Sequence, residues 1–153
     1  YKMRSLVRRK NGSHWFDDFK FYRPIFFTGV LNDRLGYGEG DFVIDDIVKN
    51  NRHFMNELHR RVYKKSKTKI PRLIVIERGK GRFHTHMILE TPEHISNENY
   101  LHLIQHSWLK SRDGISVSIE DVTDIKGIKN YLSKEVSLHS VTGVDVKNSY
   151  NYL

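Results

Sequence analysis

The chain has no cysteine. Disulfides and thiolate metal centres are therefore closed to it, and any metal has only histidine, carboxylate and water as ligands. No apolar run approaches the roughly 18 to 20 residues needed to span a bilayer, and no signal peptide opens the sequence, so a soluble protein without a membrane partner is expected. Internal repeats and low-complexity tracts are also missing, and acidic residues are in deficit, 18 against 26 lysines and arginines, for a net charge of +8 in 153 residues. That excess points to a polyanionic partner, nucleic acid before membrane, with solubility alone as the plainer alternative. The length predicts one domain over residues 1 to 153, with room for one modest core. The first residue is Tyr1 rather than methionine, which suggests a domain trimmed from something longer.

What is present is a succession of patterned segments. Residues 25 to 31, IFFTGVL, are β-branched and aromatic between Pro24 and Asn32-Asp33, which predicts a first strand. From Asp45 to Lys65 apolar residues recur at Ile47, Val48, Phe54, Met55, Leu58 and Val62. That spacing predicts a long amphipathic helix, with Asp45 favouring its start and the basic run KKSKTK at its end. LIVIE and RFHTHMILE, joined by RGKG at 78 to 81, predict a β-hairpin. Tyr100 to Leu109 returns to helical spacing, GISVSIEDV alternates as a half-exposed strand, and Asp124 to Val136 predicts a short helix. The tail from residue 140 has no clear pattern. The order βαββαβ plus a helix predicts an α+β fold with a central antiparallel sheet and helices on one face, the ferredoxin-like or split βαβ arrangement.

In RFHTHMIL the two histidines are separated by one residue and so point the same way from a strand. If RGKG is the whole loop, Glu77 stands opposite Arg82, and Leu73, Val75, Glu77, Arg82, His84 and His86 share one face. The other face, with Ile74, Ile76, Phe83, Thr85, Met87 and Leu89, is almost wholly apolar and would take the covering helices. Glu77, His84 and His86 are then candidate ligands of a two-histidine, one-carboxylate metal site. Histidines contacting water on a half-wet strand are the equal alternative, and a loop one residue longer or shorter would spoil the parity.

In IKNYLSKE, residues 128 to 135, Tyr131 and Lys134 project from one side of a helix. A tyrosine attacking a phosphodiester must lose its proton, and a free pKa of about 10 makes it slow near neutrality. A nearby ammonium and a metal would correct that. Packing is the commoner use of a helical tyrosine. His102 and His106 are four apart on a helix but lack the glutamate of HExxH, and GYGEGD lacks the ending of a phosphate loop. His53 and His59 are expected to face solvent. The first 24 residues mix Arg4, Arg8, Arg9 and Lys10 with Trp15, Phe16, Phe19, Phe21 and Tyr22, which suits single-stranded nucleic acid or, equally, a peripheral strand packed by its aromatics.

Phe26-Phe27-Thr28 in the first strand, Glu77 followed by His84-Thr85-His86 in the hairpin, and YLSK at 131 to 134 come in an order that resembles the HUH endonuclease superfamily. More narrowly it resembles the single-tyrosine initiators of rolling-circle replication, over a core of about residues 25 to 136. The resemblance implies that His84 and His86, with Glu77, bind Mg²⁺ or Mn²⁺, and that Tyr131 is the nucleophile. It implies that Lys134 assists and that Thr28 belongs to a mainly structural motif. Glu90, at the far end of the histidine strand, is a competing third ligand. Thr85 departs from the family, which usually has a bulky apolar residue there.

The implied activity is site-specific nicking and joining of single-stranded or origin hairpin DNA, through a 5′-phosphotyrosyl intermediate and a free 3′-hydroxyl. The implied setting is intracellular, in a prokaryotic cytoplasm or a virus-infected host cell, with a helicase domain or host replication proteins as possible partners. A transposase or relaxase of the same superfamily is an alternative, although a relaxase would carry its tyrosine before the histidines. A non-catalytic single-strand binding module is the rival from another class, but the strand offers only Phe83 where stacking aromatics would be needed.

Overall fold

Pro24–Leu31 form the strand around which the sheet is assembled, its side chains alternating between half-buried and buried along all eight residues. The computed structural model describes residues 8–9, 13–14, 18–32, 41–65, 67–78, 83–138 and 143–151. In chain order these give β1 (Arg8–Arg9), β2 (Ser13–His14), β3 (Pro24–Leu31), α1 (Asp41–Tyr63), β4 (Arg72–Arg78) and β5 (Phe83–Glu90). There follow α2 (Asn97–Lys110), β6 (Gly114–Asp121), α3 (Ile125–Leu138) and β7 (Gly143–Val144). β1 and β2 pair with each other, and the other five strands make one antiparallel sheet in the order β6-β3-β5-β4-β7. Each strand–helix–strand crossover of β3 to β6 is split by a strand of the other, as the βαββαβ pattern predicts. The fold is α+β.

Helices cover both faces of the sheet rather than the one expected. α1 and α2 bury Ile47, Phe54, Met55, Leu58, Tyr100, Ile104 and Trp108 against Ile25, Phe27, Leu31, Ile74, Ile76, Met87 and Leu89. Trp108 sits edge-on to Phe27 and Phe54, with centroids 5.2 and 5.4 Å away. It fits there because Gly29 has no side chain: a Cβ on Gly29 would lie 2.5 Å from the indole. On the opposite face Leu132 of α3 packs with Leu73, Val75, Ile88, Val144 and Phe19, and with the half-buried Phe26, Ile125 and Ile128. Among the described residues the strand faces assigned from alternation are correct. The face that carries the histidines nevertheless holds a second apolar cluster, because Leu73, Val75 and Ile88 also have to leave water.

Two boundaries differ from the sequence expectation for physical reasons. α1 begins at Asp41, four residues before Asp45. Ile44 extends the apolar stripe a turn earlier and is 9% exposed, so Asp45 lies within the helix and does not start it. The tail becomes part of the sheet: Val144 pairs with Val75, and the backbones of Tyr150 and Arg72 exchange two hydrogen bonds of 2.8 Å. An otherwise open edge of β4 is thereby covered. Asp145 anchors this tail, accepting from Asn51 Nδ2 at 3.0 Å and Asn148 Nδ2 at 2.7 Å. Burial raises its carboxyl above the usual range. Thr85 joins the network by donating to Asn51 Oδ1 at 3.0 Å. A bulky apolar residue at position 85 could not make that bond.

Candidate functional site

The hairpin register places Glu77 opposite His84 and Arg78 opposite Phe83. The expected pairing of Glu77 with Arg82 is therefore displaced by two residues along the partner strand. A shift of two preserves parity, so Glu77, His84 and His86 still share a face. Arg82 and most of the loop lie outside the described residues.

His86 is the best-held of the three. It is 8% exposed, and both ring nitrogens have partners: Thr28 Oγ1 is 3.0 Å from Nδ1, and Glu77 Oε2 is 3.0 Å from Nε2. Thr28 reaches it because the antiparallel pairing of β3 with β5 sets those two residues side by side. Phe26, two residues earlier on the same face, lies nearly parallel to the His86 ring at 5.7 Å between centroids and 9° between planes. A neutral ring protonated at Nε2 donates to the Glu77 carboxylate and accepts from the Thr28 hydroxyl at Nδ1. His84 is half-buried, directly across from Glu77 and from Val30 of β3, with its ring 6.3 Å from that of His86.

The donor chemistry suits a hard or borderline divalent ion, since imidazole and carboxylate are both ligands of Mn²⁺. Two neighbouring ligands of an octahedral ion, each about 2.1 Å from it, stand roughly 3.0 Å apart. Glu77 Oε2 and His86 Nε2 have that separation. Among the described residues no group of three histidine or acidic side chains is arranged to enclose an ion. Glu77 and His86 are the two candidate ligands whose donor atoms the fold brings together, and the His84 ring stands beside them, 6.3 Å from that of His86.

Tyr131 stands on α3, the helix whose Leu132 covers the histidine-bearing face. It is 50% exposed and shares a cavity of about 300 Å³ with Phe26, Glu120, Asp121 and Asp124. Phe26 thus touches His86 on one side and borders the tyrosine cavity on the other. The start of α3 is fixed by Asp124, whose carboxylate accepts from Gly127 N–H at 2.9 Å and whose carbonyl accepts from Ile128 N–H at 3.1 Å. Lys129, two residues before the tyrosine, donates to the carbonyl of Phe19. Lys134 belongs to α3 one turn beyond Tyr131, and its side chain lies outside the described residues.

Several other candidates have different uses. Glu90 turns away from the histidines and accepts the backbone N–H groups of Tyr22, at 2.9 Å, and Arg23, at 2.5 Å. It holds the entry to β3. His59 does not face solvent as expected but accepts the N–H of Ile70 at 2.9 Å, and burial lowers its pKa to about 4. His53 is exposed, as are His102 and His106 on the outer side of α2. Phe19 and Phe21 stack on one another and join the second apolar cluster, so the packing alternative holds for this pair, while Tyr22 is 82% exposed. Trp15, Phe16 and the GYGEG stretch lie outside the described residues. Sequence reasoning missed Thr28 and Phe26 as partners of His86. The only signal was their shared parity in FFT, which becomes informative once the pairing of β3 with β5 is known.

Comparison with protein-family models, curated proteins and solved structures finds no match to the chain. No helix among the described residues is long and apolar enough to cross a membrane.

Proposed function

We propose that the chain is a metal-dependent enzyme that nicks and rejoins single-stranded DNA, of the HUH endonuclease type that initiates rolling-circle replication. The observation that carries this reading is the chain of contacts Glu77–His86–Thr28 on the sheet face covered by the helix of Tyr131. The HUH architecture suits an antiparallel sheet with the histidine strand at its centre. The net charge of +8 suits a DNA substrate.

Glu77, His86 and His84 would hold Mg²⁺ or Mn²⁺. A bound divalent ion would withdraw charge from the oxygens of the scissile phosphate. Tyr131 Oη attacks phosphorus as its proton departs, and the bond from phosphorus to the 3′-oxygen breaks. The DNA 5′ end is left on the tyrosine, and the leaving oxygen takes up a proton as a free 3′-hydroxyl. In reverse, a 3′-hydroxyl displaces the tyrosine and the strand is resealed without ATP. Lys134, one turn further along α3, is assigned to stabilising the developing phenolate or the phosphate. Phe26, stacked on the His86 ring, would limit its rotation and so keep Nε2 towards Glu77.

Strand transfer tests this reading. Incubation with Mn²⁺ and a random pool of single-stranded oligonucleotides should select sequences that yield an extendable 3′-hydroxyl. Adding a second strand with a free 3′ end should give joined product. A pool that yields neither would overturn the proposal.

A further inference from the structure

The two sides of α2 have different tasks. Tyr100, Ile104 and Trp108 are buried in the core on the Phe27 side of the sheet. The outer side carries His102, Gln105, His106 and Leu109, all exposed, and with Leu103 they line a surface cavity of about 460 Å³. Glu77, His84 and His86 lie on the other side of the sheet, the one covered by α3. The nicking reaction proposed above therefore uses neither His102 nor His106.

Residues four apart on a helix have Cβ atoms about 6 Å apart. Two imidazole nitrogens on one tetrahedral ion, each about 2.0 to 2.1 Å from it, stand roughly 3.3 Å apart, and side chains converging from the helical spacing reach that separation. Among the described residues neither ring has a hydrogen bond, an ion pair or a ring contact, so ligation breaks no existing bond. The backbone beneath them is fixed. Ser96 caps the start of α2 by accepting from Asn99 N–H at 3.2 Å, and at its end Ser111 N–H donates to the Trp108 carbonyl at 3.0 Å. Glu98 and Lys110 continue the same stripe outwards. Glu98 is eight residues from His106, about 12 Å along the axis, too far to share an ion with both histidines, and an ammonium offers no lone pair. Among the described residues no third histidine or acidic group completes the site. Two neutral imidazoles without a carboxylate favour borderline ions, and Zn²⁺ stands above Mn²⁺ in affinity for nitrogen ligands.

We propose that His102 and His106 chelate one Zn²⁺ ion on the outer side of α2, with water in the two remaining positions. The ion braces one turn of the helix whose inner side holds Ile104 and Trp108 in the core. It is separate from the Mg²⁺ or Mn²⁺ assigned to His86 and does not depend on the nicking activity. Because the two rings converge only while α2 is folded, the ion stabilises the native chain.

The test is titration of the ¹⁵N-labelled intact chain with Zn²⁺, following the imidazole nitrogens of each histidine by NMR. Saturable shifts of both the His102 and the His106 rings are expected, at the same zinc concentration, with Mn²⁺ at least about tenfold weaker at this pair. His102→Ala should weaken zinc binding at His106, and His106→Ala at His102, each at least about tenfold. The zinc-induced rise in thermal midpoint should be smaller in both variants than in wild type. Combining Glu98→His with His102→Ala keeps two histidines on the stripe but sets them eight apart, and it should not restore binding. Circular dichroism of each metal-free variant separates loss of a ligand from loss of fold. The proposal is overturned if zinc leaves these two rings unshifted, if a folded single variant binds zinc at its remaining ring as tightly as wild type, or if the eight-apart combination does so, which would reduce the pair to independent surface imidazoles.

Discussion

The Thr28 hydroxyl lies 3.0 Å from Nδ1 of His86, on the side of the ring opposite Glu77. A hydroxyl can donate or accept, and that versatility matters here. With Nε2–H donating to Glu77, Thr28 donates to Nδ1. Were Nε2 to ligate a cation, the ring proton would sit on Nδ1 and Thr28 would accept a hydrogen bond from it. In the proposed reading Thr28 would thus be a positioning residue, able to serve both tautomers from one place. Thr28→Val keeps the shape and removes the hydroxyl, and it should weaken Mn²⁺ binding about tenfold, while Thr28→Ser restores it. Titration of the intact chain followed by the EPR signal of free Mn²⁺ measures this. Equal affinity in wild type and the valine variant would show that the contact does not orient the ligand.

His59 gives the fold a defined acid sensitivity. Its ring accepts the Ile70 N–H at the approach to β4, and burial lowers its pKa from 6.5 to about 4. Between those values the unfolded chain binds a proton at this ring that the native chain does not. Stability therefore rises with pH across the window and is lost as pH falls through it. The loss attributable to His59 should be about 1 to 2 kcal/mol after allowance for solvent screening. Urea unfolding at pH 7 and pH 4.5 checks it: His59→Gln, which keeps an acceptor but does not titrate, should narrow the difference. An unchanged difference would assign the acid sensitivity elsewhere.

Gly29 is occupied from outside by Trp108. A Cβ there would meet the indole at 2.5 Å and the Phe27 ring at 2.9 Å, and neither rigid ring can withdraw easily. Gly29→Ala should destabilise the fold by about 1 to 3 kcal/mol, read as a lowered midpoint in chemical denaturation. Because Gly29 adjoins Thr28 in β3, the variant should also weaken Mn²⁺ binding. Unaltered stability would mean that β3 and α2 can separate without cost.

Much of this was legible because alternation is local. For the described residues, RFHTHMIL and LIVIE assigned the strand faces correctly even though the register was displaced by two residues, since parity survives an even shift. The helix apolar stripes were equally visible. Features that depend on distant residues were hidden. The tail of β4's edge gives no pattern of its own, because its role is set by pairing with Arg72 and Val75 and by the buried Asp145. Thr85 looked like a weakened core position, and only the arrival of Asn51 from α1 makes threonine suitable there. The partnership of Thr28 with His86 needed the pairing of β3 with β5. His59 resembled a solvent-facing residue of a basic helix, and its acceptor role depends on where Ile70 returns.

The central claim is that Tyr131 attacks DNA with the help of a cation held at His86. It is tested most directly by incubating the chain with Mn²⁺ and single-stranded DNA selected from the random pool, and resolving the products on a denaturing gel. The account predicts a covalent protein–DNA band with wild type, loss of that band in Tyr131→Phe, and loss in His84→Ala and His86→Ala with native circular dichroism. A band of equal intensity from Tyr131→Phe, or none from wild type, would contradict it.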